Sequence, residues 1–166
     1  MQNSTSKVRV LTGTAMLGAV AAVLMYLEFP IPIMPAFVKL DVSELPALIA
    51  SFAYGPVSGI LVCLIKNLIK LPSTSTAAVG ELFNFVMGAL FVGVAGLIYK
   101  RNKTRKGAIV GALLGALVMA VVSVPYNYFI VYPAYVVMYH LPLDAIIGMY
   151  QAINPNVNGL LACLLV

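Results

Sequence analysis

The chain has 166 residues, of which 62% are hydrophobic and 9% charged, with a formal net charge of +5. A soluble domain carries about 25% charged residues, so a water-soluble fold of this size is excluded and the chain is an integral membrane protein. The positive charge comes largely from one short cluster, so it reads as a topology signal and not as a nucleic-acid surface.

Residues 10–27 are uncharged and close to the roughly 20 needed to span a bilayer as a helix. Lys7 and Arg9 precede them, as in a signal peptide. The apolar run is too long for one and no clear cleavage site precedes Glu28, so it reads as a retained membrane helix. Ala15 and Ala19, with Gly18 and Ala22 beside them, form a small-xxx-small face that lets another helix approach closely. Packing inside the protein's own bundle and docking of a partner both fit that face.

Residues 28–40 (EFPIPIMPAFVKL) hold prolines at near-alternating positions. Proline removes a backbone donor and disfavours helix in the residue before it. The segment is predicted to be a stiff, extended, apolar loop at a membrane surface, serving as a connector, a lid or a pocket wall. A helix is predicted over 41–54, capped by Asp41 or Ser43, with Glu44 in its first turn and Pro46 tolerated early. It is short for a full span. Gly55-Pro56 is a break.

A third helix is predicted over 57–71, ending in Lys66, Asn67 and Lys70. Pro72 stops it, and a Ser/Thr-rich loop runs to residue 78. A fourth follows over 79–99, with Glu81 and Asn84 three apart on one face. Residues 100–106 (KRNKTRK) are a short basic loop. A long fifth helix over 108–137 is expected to bend at Pro125 and Pro133. Tyr126, Asn127, Tyr128, Tyr132 and Tyr135 crowd its end, as aromatic residues do at a membrane interface. A connector over 138–149 holds His140 and Asp144. A sixth helix is expected from Tyr150, headed by Asn154, Asn156 and Asn158 and apparently cut short at Val166. The whole reads as one domain over 1–166, an all-α bundle of six transmembrane helices. Its N-terminus is inside and its Pro-rich first loop extracellular.

The basic loop fixes orientation by the positive-inside rule, and Lys7 with Arg9 agrees with it. Counting helices outward places the 28–41 and 70–78 loops and the 138–149 connector outside. Lys66, Asn67, Glu81, Asn84, Asn127 and Asn154 join them in an outward-facing cup. Ionisable groups at such depth are costly and usually functional. Lys39, Lys66 and Lys70 oppose the charge rule locally, which calls for pairing with Glu81 or with a ligand. Ordinary interfacial polarity accounts for a loop residue but less well for Lys66 and Glu81.

Catalytic signatures are missing from the sequence. It contains no GxxxxGK[ST] for nucleotide hydrolysis, no HExxH and no paired Cys/His set for a metal. Glu81 has no obvious carboxylate partner for acid–base work. Cys63 and Cys163 both sit in apolar runs without metal-ligand spacing. A small binding module fits better than an enzyme.

Five runs in order carry a resemblance: LEFPIPIMPAFVKLDVSELPALIASFAYGPVSG, IKNLIKL, VGELFNFVMG, IYKRNKTRKGAIVG and NYFIVYPAY. Together they resemble the riboflavin-specific S-components of energy-coupling-factor (ECF) transporters, from Leu11 to Tyr135. The resemblance implies a prokaryotic multi-pass cell-membrane subunit of six helices. It would bind a vitamin and work with one membrane scaffold subunit and two ATPase subunits. It implies no enzyme activity and no cofactor, with riboflavin as transported ligand. It also implies that the first extracellular loop and the outer ends of helices four to six hold the vitamin. Ala15 and Ala19 would meet the scaffold subunit. The family's Pro-Phe-Asn and Lys-Gly at the head of helix six are replaced here by Asn154-Pro155-Asn156-Val157-Asn158-Gly159.

The residue chemistry suits a flavin. Asn67, Asn84, Asn127, Asn154, Asn156 and Asn158 offer both donor and acceptor to its polar pyrimidine edge. Glu81, Lys39 and loop backbone suit the ribityl hydroxyls, and Asp41 and Lys66 join the substrate-binding set. Phe37, Tyr126 and Tyr128 can stack on the ring or line its slot. The alternatives are an S-component for another vitamin, or a small structural or enzymatic membrane protein.

Overall fold

The computed structural model describes residues 2–27, 29–30, 39–40, 42–73, 79–139, 143–152 and 155. The helices are α1 (Gln2–Tyr26), α2 (Glu44–Tyr54), α3 (Pro56–Lys70), α4 (Val79–Arg101), α5 (Arg105–Tyr126), α6 (Tyr132–Tyr139) and α7 (Leu143–Gln151). A single 3-10 turn, Leu71–Ser73, follows α3, and a π-helical turn, Asn127–Val131, joins α5 to α6. Two short strands, β1 (Phe29–Pro30) and β2 (Lys39–Leu40), pair antiparallel, with Phe29 opposite Leu40 and Pro30 opposite Lys39.

The expectation of six membrane spans is corrected. Among the described residues four helices are long and apolar enough to cross a bilayer: Ser6–Tyr26, Pro56–Ser73, Val79–Arg101 and Arg105–Ile130. The physical reason is length. α2 has 11 residues, α6 has 8 and α7 has 9, against the roughly 20 that a span requires. The long fifth helix expected over 108–137 is present as a continuous helical run from Arg105 to Tyr139, but its regular α-helical part ends at Tyr126, where a π-helical turn interrupts it. Pro125 lies inside α5, where its ring and missing N–H disrupt the ladder, and the π-helical turn begins two residues later. Pro133 falls at the second position of α6, where a missing N–H costs little. Tyr150, expected to open a sixth helix, lies near the end of α7. Asn154, Asn156 and Asn158, expected to head that helix, lie outside the described residues.

The chain forms two compact units, Met1–Leu27 with Asp41–Ala120, and Glu28–Leu40 with Val121–Val166. In the first, α3 packs against α1, α2 and α4. The core is made of small and branched residues: Ala21, Ala47, Ala50, Val62, Cys63 and Val92. Small residues are what lets helices approach in a membrane, where no hydrophobic force drives them together. The Ser51 hydroxyl donates to the Val92 carbonyl at 2.7 Å, tying α2 to α4. α5 meets α4 more closely still. A β-carbon at Gly111 would lie 2.8 Å from the Ala95 carbonyl oxygen, and one at Gly115 would lie 2.7 Å from that of Phe91.

Contacts between helix ends fix the antiparallel order. Lys70 Nζ donates to the Met25 carbonyl at 3.2 Å, satisfying one of the carbonyls that the end of α1 leaves open. The Tyr26 hydroxyl sits beside it, 3.2 Å from Ser73 Oγ and 3.4 Å from the Ile69 carbonyl. At the opposite end the Tyr54 ring occupies the space that a side chain at Gly13 would need. There, too, the Phe52 and Tyr99 rings meet with centroids 4.7 Å apart. The basic turn after Tyr99 therefore lies at the end away from Lys70.

Candidate functional site

The buried face of α3 carries Ser58, Gly59, Val62, Cys63, Lys66 and Asn67. That spacing is one helical stripe. It turns Lys66 inward in register with the apolar core, so the lysine is fully buried, at 0% exposure. An ammonium so placed requires a counter-charge. Glu44 supplies it from the first turn of α2, its Oε1 2.6 Å from Lys66 Nζ. The Ser43 hydroxyl accepts a second bond from the same ammonium at 2.6 Å. Ser43 makes no side-chain cap to α2, so the capping role expected of it gives way to Lys66. The Cys63 thiol donates to Glu44 Oε2 at 3.6 Å. Gly88 of α4 completes the enclosure, because a β-carbon there would come within 2.6 Å of the Glu44 carboxylate. Three helices thus converge on one ion pair at the end of the unit away from the basic turn.

Asn67 sits one residue on. Its Nδ2 donates to the Cys63 carbonyl at 2.8 Å, while its Oδ1 is buried without a hydrogen-bond partner among the described residues. An orphaned buried acceptor costs about 1–3 kcal/mol, and in a native fold it calls for a reason. Glu81, in the first turn of α4, is 7% exposed and is an electrostatic neighbour of Lys70. Asn84, one turn later, is half-buried. All four predicted site residues of this unit, Lys66, Asn67, Glu81 and Asn84, lie at the non-basic ends of α3 and α4.

In the second unit Tyr126 closes α5, and Asn127 and Tyr128 open the π-helical turn. Tyr126 and Asn127 are half-buried and Tyr128 is exposed. The Tyr128 and Phe129 rings meet edge to face, with centroids 5.0 Å apart. Lys39 lies in β2. Phe37, Asp41, Asn154, Asn156 and Asn158 fall outside the described residues.

Glu44 is the residue that sequence reasoning missed. It reads as an ordinary first-turn acid favoured by the helix dipole, and the carboxylate sought for Lys66 was Glu81. The available signal was that Ser43-Glu44 heads a helix too short to span, which keeps both residues near the depth of Lys66. On α1, Gly18 and Ala22 are buried whereas Ala15 and Ala19 are exposed. The small residues therefore divide between an inner packing face and an outer face.

A polar cluster where α2, α3 and α4 converge, in a chain with four candidate spans among its described residues, marks a multi-pass membrane protein with a polar site inside its helices. The family model for the ECF transporter substrate-specific component matches residues 9–166, and the chain belongs to that family. Members are transport components that act with scaffold and ATPase subunits, so the chain is a substrate-binding subunit and not an enzyme. It is 39% identical over 127 residues to the riboflavin transporter RibU of Staphylococcus aureus, covering 76% of this chain and 67% of that one. It is 38% identical over 139 residues to the riboflavin transporter FmnP of Bacillus subtilis, covering 82% of this chain and 73% of that one. A solved structure described as "Structure and mechanism of the S component of a bacterial ECF transporter" superposes with a TM-score of 0.73 at 33% identity, covering 99% of this chain and 92% of that one.

Proposed function

We propose that this substrate-binding subunit takes up riboflavin, or a close flavin, at its non-basic end and delivers it by docking on a membrane scaffold subunit driven by two ATPases. The single observation that carries the site is the polar cluster of buried Lys66, Asn67 and Glu81 with half-buried Glu44, in a chain that is 62% hydrophobic. The flavin pyrimidine edge presents an imide N–H, and the buried Asn67 Oδ1, without a hydrogen-bond partner among the described residues, is an acceptor of the kind it needs. Glu81 and Asn84 serve the ribityl hydroxyls. Lys39, Asp41, Phe37, Tyr126, Asn127, Tyr128, Asn154, Asn156 and Asn158 make up the rest of the proposed binding set. Lys66 acts there chiefly by holding Ser43 and Glu44. That two relatives are named riboflavin transporters supports the choice of vitamin.

Docking is assigned to the exposed face of α1. Ala15 and Ala19 point away from the unit's core, and a smooth surface lets one subunit turn against another in lipid. The test is uptake of labelled riboflavin by cells carrying this chain with, and without, the scaffold and ATPase subunits. Uptake is expected only with all of them present. Uptake by this chain alone, or uptake of another vitamin in preference, overturns the reading.

A further inference from the structure

The basic end of the first unit holds a pocket that vitamin binding does not use. It has a volume of about 310 Å³ and lies where the end of α2 turns into α3 beside the end of α4. Phe52, Tyr54 and Tyr99 form its aromatic walls, and Lys100 and Lys103 stand at its rim. Gly55, at φ +107°, makes the sharp turn that opens the floor. The walls are held in place. Tyr54 rests in the space left by Gly13, and Phe52 leans on Tyr99. The rim is ordered too, since Thr104 Oγ1 donates to Asn102 Oδ1 at 3.3 Å and accepts from the Gly107 N–H at 3.0 Å.

Charge and position together indicate an occupant. The turn carries Lys100, Arg101, Lys103, Arg105 and Lys106. Of these only Lys100 and Lys103 border the pocket, and neither forms an ion pair among the described residues. The positive-inside rule accounts for cations on this side. It does not account for a pair of them over an aromatic-walled cavity at the end of the span Val79–Arg101. Basic pockets between membrane helices on the cytoplasmic side suit lipid headgroups, with lysine as a point charge on phosphate. Tyrosine rings sit at the headgroup level, with a hydroxyl for the glycerol. We propose that this pocket binds the phosphate headgroup of an anionic phospholipid of the cytoplasmic leaflet.

The test uses the full chain in phosphatidylcholine nanodiscs containing a minor fraction of phosphatidylglycerol. Retained lipid is counted by native mass spectrometry. Lys100→Gln/Lys103→Gln is compared with Arg105→Gln/Lys106→Gln, which removes the same charge from outside the pocket. The first variant is expected to lose phosphatidylglycerol retention at least about tenfold, on the scale of two lysines near a membrane surface. The second is expected to stay within about twofold of the unaltered protein, allowing for diffuse attraction. Equal losses in the two variants reduce the pocket to general surface charge and overturn the proposal. Displacement of the lipid by millimolar inorganic phosphate overturns it in favour of a soluble anion. Unchanged retention with weakened assembly on the ATPase module assigns the pocket to a protein partner and overturns it as well.

Discussion

Lys66 Nζ lies 2.6 Å from Glu44 Oε1, and the lysine is wholly buried where α2, α3 and α4 converge. The pair joins the head of a helix too short to span to the end of one that does. Removing one partner leaves an uncompensated charge, which costs about 3–5 kcal/mol in a buried pair. Lys66→Met alone and Glu44→Gln alone should each lower the melting temperature of the detergent-solubilised protein sharply. The double variant Lys66→Met/Glu44→Leu should recover most of that loss. A double variant as unstable as the sum of the singles would show that the pair does not act as a unit.

Glu81 is 7% exposed at the head of α4. A carboxylate facing lipid at such a place costs at least about 2.5 kcal/mol on insertion scales. Glu81→Ala should weaken flavin binding at least tenfold, the scale on which a hydrogen bond to a charged group contributes, about 1.5–3 kcal/mol. Membrane insertion should be unaffected. Fluorescence titration with riboflavin alongside quantitation of the membrane fraction separates the two. Unchanged binding would make Glu81 a structural residue.

The outer face of α1 yields a separation of activities. Ala15→Trp or Ala19→Trp should leave flavin binding by the isolated protein near normal, because both residues are exposed. Uptake, and co-purification with the ATPase module, should be abolished. Equal loss of binding and uptake would place these alanines in the protein's own packing. Normal uptake would remove α1 from the coupling surface.

α4 and α5 approach backbone to backbone at Gly111 and Gly115. Gly115→Val must push its β-carbon into the Phe91 carbonyl or move α5 outward, an overpacking that costs about 1–3 kcal/mol. The expected result is a lower melting temperature, with Gly115→Ala intermediate. Wild-type stability in the valine variant would mean that α5 is not seated on α4 by this contact.

The spans at α1, α3, α4 and α5 were legible because each is a continuous apolar stretch bounded by charge or proline, and bilayer thickness sets their length. That Lys66 and Glu81 lie at the helix ends away from the basic turn was legible for the same reason, since each lies near an end of such a stretch. The Glu44–Lys66 pair was not. These residues are 22 apart in sequence, and their meeting depends on the turn at Gly55 that folds α2 back along α3. The place of the interruption in the long fifth helix was legible, but its form was not. Pro125 announces a disruption but not its form, which is a π-helical turn. Counting apolar segments overcounted the spans, because α2, α6 and α7 are apolar yet too short. Hydropathy reports burial, and burial inside a bundle looks the same as crossing a bilayer.

We propose that this chain alone, without its partner subunits, binds flavin. The most direct test is titration of the purified protein with riboflavin, following quenching of the flavin fluorescence. The claim predicts saturable quenching at one flavin per chain, undisturbed by excess thiamin, and a yellow preparation when the protein is made in riboflavin-fed cells. A colourless, monodisperse protein that leaves riboflavin fluorescence unchanged at micromolar concentrations would contradict it.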